Sequence, residues 1–223
     1  MLKLIIGNKA YSSWSLRGWL ACKQSGLPFD EVVVPLYDAE WDKRRKGDEF
    51  APSSGKVPIL WDGDIVVWDS LAIIDFLNER TGNTKFWPAD EAARAMARSM
   101  AAEMHSGFQA LRSKHTMNIR QVYPPQKPDE DVVAELLRLM TIWAQARARF
   151  GGSGPFLFGE FGAADIMFAP VVTRIVTYSL PAPRFAPAYM NAVLQHPFMQ
   201  DWIAAAQEED WVIEQFEKTP EKA

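Results

Sequence analysis

Hydrophobic and polar positions change rhythm twice along the chain. Residues 2–6 form a short apolar run, after which Leu16, Trp19 and Leu20 fall at helical spacing until Gly26-Leu27-Pro28 supplies a terminal glycine and a breaker. The pattern predicts a strand and then a helix. Residues 31–34 read as a second strand, closed by Pro35 and parallel to the first because a whole helix joins them. The stretch 39–50 is charged and weakly amphipathic, an irregular helix. Residues 57–61 and 65–68 flank Asp62-Gly63-Asp64, the signature of a hairpin with a DG-type turn. Leu71, Ile74 and Leu77, widened by Ile73 and Phe76, give one apolar face to a helix that Asp69-Ser70 opens and Gly82 stops. The predicted order is βαβαββα.

Near residue 81 these mixed signals give way to almost purely helical ones. Residues 89–114 and 129–150 read as two long helices. A third, 163–178, follows Phe161-Gly162-Ala163-Ala164-Asp165, where Asp165 lies three residues past a glycine cap and can reach back to unpaired first-turn N–H groups. Shorter helices are expected over 187–194 and 197–208, with a tail around Trp211 and Phe216 lying back on the body. Two units follow: α/β over 1–81 and all-α over 88–223.

Composition narrows the function classes. With 223 residues, 48% of them hydrophobic, the chain has ample core and is not disordered. A net charge of −4, its signs interspersed, leaves no continuous positive surface for nucleic acid or an anionic membrane. No apolar run approaches the roughly 20 residues that span a bilayer, and Met1-Leu2-Lys3 opens a strand rather than a leader, so a cytoplasmic protein is expected. Cys22 is the only cysteine, which rules out an intrachain disulfide, a zinc cluster and a CxxC pair. His105, His115 and His196 are too scattered for a metal site, and none is expected. Any sulfur chemistry must therefore use a thiol from outside.

The clearest candidate site is Ser12-Ser13-Trp14-Ser15, at the point where the first strand runs into its helix. First-turn N–H groups lack internal partners and the helix dipole is positive there, so the hydroxyls can add O–H donors aimed at a bound anion. One serine capping the helix is the plainer reading of the same letters.

Over nearly its whole length the succession of features resembles a soluble glutathione S-transferase. Ser12-Ser13-Trp14-Ser15-Leu16-Arg17 is similar to the SSCSxR segment of the zeta class, which includes maleylacetoacetate isomerases. Phe50-Ala51-Pro52-Ser53-Ser54-Gly55-Lys56-Val57-Pro58 is similar to their LNPxGKVP segment, and Asp69-Ser70 resembles the family's acidic-Ser pair. The resemblance implies a thioredoxin-like first domain, a helical second one, and a cytoplasmic homodimer using glutathione in detoxification, with no metal. It implies a cis Val57–Pro58 bond, with Lys56, Val57 and Pro58 beside the cysteinyl part of the tripeptide. Asp69 and Ser70 would take the γ-glutamyl end, aspartate standing one methylene short of the usual glutamate.

In that family a hydroxyl keeps the glutathione thiol ionised, a task that by position falls to Ser12, with Ser13 as first substitute and Ser15 a helix-internal cap. Tyr11 is expected in the site wall or, as in tyrosine-type classes, as the donor itself. Trp14 replaces a cysteine linked to isomerase chemistry, which disfavours that activity. Arg17 either adds positive field near the sulfur or makes an exposed ion pair. A pocket for an apolar electrophile is expected between the units, walled by Tyr11, Trp14, His115 and Arg120. Peroxidase or isomerase action, or a non-catalytic binding protein on the same fold, are the alternatives.

Overall fold

A computed structural model describes residues 1–152 and 154–217. Strands β1 (Leu2–Gly7), β2 (Phe29–Val34), β3 (Ile59–Asp62) and β4 (Ile65–Trp68) form one sheet in the order β2-β1-β3-β4. β1 and β2 run parallel with Leu2 opposite Phe29, whereas β3 is antiparallel to both β1 and β4. Helix α1 (Ser13–Ser25) supplies the crossover between the parallel pair, and α3 (Ser70–Arg80) follows the hairpin. This is the expected thioredoxin-like arrangement. Strand β2 starts two residues earlier than the sequence suggests, because Phe29 and Asp30 still pair with Leu2 and Lys3.

The charged stretch after β2 departs more from expectation. Only α2 (Trp41–Arg44) is helical there, with a 3-10 turn over Ala51–Ser53, since Trp41 is the one α2 residue that finds a core to enter. The helical unit comprises α4 (Glu91–Ser106), α5 (Gln109–Lys114), α6 (Glu130–Phe150), α7 (Ala163–Thr177), α8 (Ala186–Gln195) and α9 (Pro197–Gln207). The single helix expected over 89–114 is thus two. Gly107 leaves helical geometry and Phe108 adopts φ 58°, a left-handed conformation that stops propagation. The carboxylate of Glu135 on α6 then accepts the Ala110 and Leu111 N–H groups at 3.2 and 2.7 Å, capping α5 from another helix.

One continuous core runs through both units, joining Leu4, Leu16, Leu20 and Ile74 to Met104, Trp143, Phe168 and Trp202. Helix α1 packs against α3 on one side and α7 and α9 on the other. Two glycines set the fit. A Cβ on Gly18 of α1 would lie 2.8 Å from Pro58, so its absence lets the loop before β3 close onto the helix. A Cβ on Gly162 would lie 2.7 Å from the Phe86 carbonyl, which explains glycine where Ser or Thr is commoner as a cap. Asp165 carries the capping instead, accepting the Gly162 and Leu157 N–H groups at 3.0 and 3.1 Å. Cys22 is fully buried, and burial pushes its thiol up, away from reactivity. No helix among the described residues is long and apolar enough to cross a membrane.

Candidate functional site

The loop after β1 delivers Ser12 to the N-cap of α1. Its Oγ accepts the Ser15 N–H at 3.3 Å and lies 2.8 Å from Ser15 Oγ, which in turn accepts the Gly7 N–H at 2.9 Å. Ser15 is therefore a structural clasp between strand and helix. Ser13 is held differently: Arg174 on α7 donates from Nη2 to Ser13 Oγ at 3.2 Å, leaving the Ser13 proton to point elsewhere. Ser12, Ser13 and Trp14 form one wall of a cleft of about 1180 Å³.

The same cleft is bounded by Lys56, Val57 and Pro58, with the Val57–Pro58 bond cis, and by Asp69 and Ser70 at the start of α3. Asp69 adopts φ 76°, a conformation that costs an aspartate about 1–3 kcal/mol and persists only where neighbours fix it. Those neighbours are visible. Its Oδ1 accepts the Leu71 N–H at 2.8 Å, and its Oδ2 lies 2.6 Å from His105 Nε2. The Ser70 hydroxyl, fully buried at the same helix end, has no partner. An unpaired buried hydroxyl at a helix N-terminus is a donor able to receive a carboxylate.

Tyr11 also reaches the cleft, but its hydroxyl is spoken for. It donates to Glu217 and accepts from Arg120 Nη2 at 2.6 Å; burial and the Glu217 bond raise its pKa. Neither Arg120 nor His115 lines the cleft, contrary to expectation. After the break at Gly107 the chain turns so that Arg120 also binds the Glu209 and Trp211 carbonyls, strapping down the tail, while the His115 ring packs on Tyr178 at 4.8 Å. Phe216 from that tail joins the cleft rim beside Tyr11 and Tyr37.

Sequence reasoning missed His105, and it gave Arg174 no role. His105 comes from the end of α4 and packs edge-on against Trp14, at 5.4 Å between centroids. Arg174 is a lone basic residue in the apolar run of α7, a visible signal of something buried and charged. Arg112 on α5 does line the cleft. Arg17 makes no exposed ion pair: it is buried, its Nε donating to the Met167 carbonyl at 3.0 Å.

Residues 11–80 match the family model described as glutathione S-transferase, N-terminal domain, and residues 129–205 match that of the C-terminal domain. The chain belongs to the glutathione S-transferase family. Among relatives, it is 29% identical to glutathione S-transferase 1 of Dianthus caryophyllus over 78% of each chain. Identity to a zeta-class glutathione S-transferase of Euphorbia esula is also 29%, over 74% of this chain and 73% of that one. The glutathione S-transferase GstB of Escherichia coli K12 is 25% identical over 72% of this chain and 77% of its own. The fold matches a glutathione transferase homolog from Burkholderia GL BGR1 solved with bound glutathione, at TM-score 0.69 and 21% identity over 94% and 99% of the two chains. The transferase fold therefore accounts for two helix N-termini, those of α1 and α3, opening into one cleft.

Proposed function

We propose that this chain is a glutathione transferase whose residues 1–81 hold the tripeptide and whose residues 88–223 add the second-substrate side of the cleft. The observation that carries it is an orphan buried hydroxyl, Ser70, lining the same cleft as the serine-bearing N-terminus of α1. The Ser70 hydroxyl at the N-terminus of α3 receives the γ-glutamyl carboxylate, with Asp69 on the adjacent ammonium. Lys56, Val57 and Pro58 border the cysteinyl part.

Ser12 and Ser13 are the catalytic pair. A free thiol with a pKa near 8.5 is only a few per cent ionised at neutral pH, and neither serine can act as its base. Each can donate an O–H to the sulfur anion, favouring the charged form, while the helix terminus acts in the same sense. Ser12 turns from Ser15 to do so at small loss, because Ser15 Oγ keeps the Gly7 N–H. The thiolate then attacks an electrophile whose apolar body rests on Trp14, Met117 and Phe216. A cytoplasmic homodimer acting in detoxification belongs to the same proposal.

Calorimetry with glutathione and turnover of 1-chloro-2,4-dinitrobenzene test the reading. Ser70→Ala should weaken glutathione binding by about tenfold, the loss expected for one hydrogen bond to a charged group. No heat of binding at millimolar tripeptide refutes the reading.

A further inference from the structure

Three arginines from three elements converge on Trp14. The guanidinium carbons of Arg17 on α1 and Arg112 on α5 each lie 4.7 Å from its ring centroid, and Arg174 on α7 bonds the adjacent Ser13. Among the described residues none of the three forms an ion pair with a carboxylate. Arg17 donates only to the Met167 carbonyl and leaves Nη1 and Nη2 without partners, although it is 1% exposed. Arg112 meets two backbone carbonyls at 3.3 Å, and Arg174 meets the His115 and Pro170 carbonyls besides Ser13.

Unpaired buried charge is costly, and proteins keep it where it is compensated at some stage of function. The acids whose charge acts on Arg17 and Arg112 are already engaged, Asp69 by His105 and the α3 N–H groups, Glu135 by the α5 N–H groups. Burial, together with the field of Arg112, pushes Arg174 down to about 10, so it stays charged at neutral pH. A single thiolate at Ser12 and Ser13 offsets one of the three charges and leaves two.

We propose that the electrophile itself is an anion: its apolar body lies on Trp14 while a carboxylate is received by the cleft-lining guanidinium groups of Arg112 and Arg174, with Arg17 reinforcing the field from behind the ring. The planar fork of a guanidinium matches a carboxylate in two parallel N–H bonds, and a flat conjugated acid presents both the ring and the charge. This names the substrate class of the transferase reading above and rests on it. For an aryl halide acid the step balances simply: the glutathione sulfur forms a bond to the ring carbon, and the carbon–halogen bond breaks with its electron pair to leave halide.

The test separates the two readings. Calorimetry on glutathione-free protein compares 3,5-dinitrobenzoate with its neutral methyl ester, and affinity for the acid should be at least about tenfold higher. Arg112→Gln should cut that ratio about fivefold or more, and Arg112→Lys should keep part of it. Turnover with glutathione of 4-chloro-3,5-dinitrobenzoate and of its methyl ester, each divided by its uncatalysed rate, should show the same preference. Equal affinity for acid and ester, or a ratio untouched by Arg112→Gln, overturns the proposal even if glutathione binds and the ester turns over. Absent glutathione binding with the acid preference intact sinks the transferase reading and leaves the anion site standing.

Discussion

Replacing Ser12 by alanine removes one O–H donor from the N-terminus of α1 and leaves the helix dipole in place. A hydrogen bond to a charged acceptor is worth about 1.5–3 kcal/mol, and one pKa unit corresponds to about 1.4 kcal/mol, so the bound thiol should rise by about 1–2 units. Take a bound thiol that titrates at about 7, where such a group works best. At pH 7 the thiolate fraction then falls from about one half to about 3% for a rise of about 1.5 units. Nucleophilicity moves the other way: with a Brønsted slope of about 0.4–0.5, the more basic thiolate is about fivefold more reactive. The net loss at neutral pH is therefore only about threefold, and above about pH 8 the variant should outrun the parent. The readout is thus the midpoint of the pH–rate profile, checked by ultraviolet difference spectroscopy of the thiolate band. Ser12 is also the N-cap of α1, so a stability loss of about 1 kcal/mol should accompany the change, and Ser12→Thr should restore both. A rate lowered equally at every pH, with an unmoved midpoint, refutes the assignment; a midpoint that moves in Ser13→Ala alone transfers the role to Ser13.

Two further outcomes follow from the fold. Burial raises Asp165 from 3.8 to about 6, so the native state holds its proton more tightly than the unfolded chain does. Its stabilising effect is complete below about pH 4 and fades as pH rises to about 6, a difference of about 3 kcal/mol. Thermal melts should accordingly show the stability advantage over Asp165→Asn shrinking from pH 4 to pH 6.5; an advantage constant across that range contradicts the assignment. Arg120→Ala removes the bonds to the Glu209 and Trp211 carbonyls and to Tyr11, and amide exchange over residues 209–216 should speed up by about tenfold while the α7 amides hold; unchanged exchange would show that the strap is held by other contacts.

The sheet unit was legible because its signals are local. Alternation, an Asp-Gly turn and a terminal glycine each mark one element, and the intervening helix dictates that β1 and β2 run parallel. The break at Gly107 was also written in the letters, yet the alanine-rich periodicity on both sides outweighed a single glycine. Helix N-termini at Ser12-Ser13 and Asp69-Ser70 could be placed from the sequence alone, while the roles given to these residues came from the resemblance to the glutathione S-transferase segments. His105 and Arg174 could not, since each is brought to the cleft by the packing of α4 and α7 rather than by a motif. His115 and Arg120 were expected in the pocket wall, an expectation that fails once α5 ends at Lys114 and the chain changes direction.

Arg17 grows from the first helix yet donates to the Met167 carbonyl, 150 residues downstream, and Ser13 is tied to Arg174 in the same way. Neither half of the molecule is an interchangeable module. Grafting the helical half of a distant relative would strand a guanidinium in the middle of the joint, so recombination within this lineage can succeed only when donor segments bring matching oxygen atoms to the first helix.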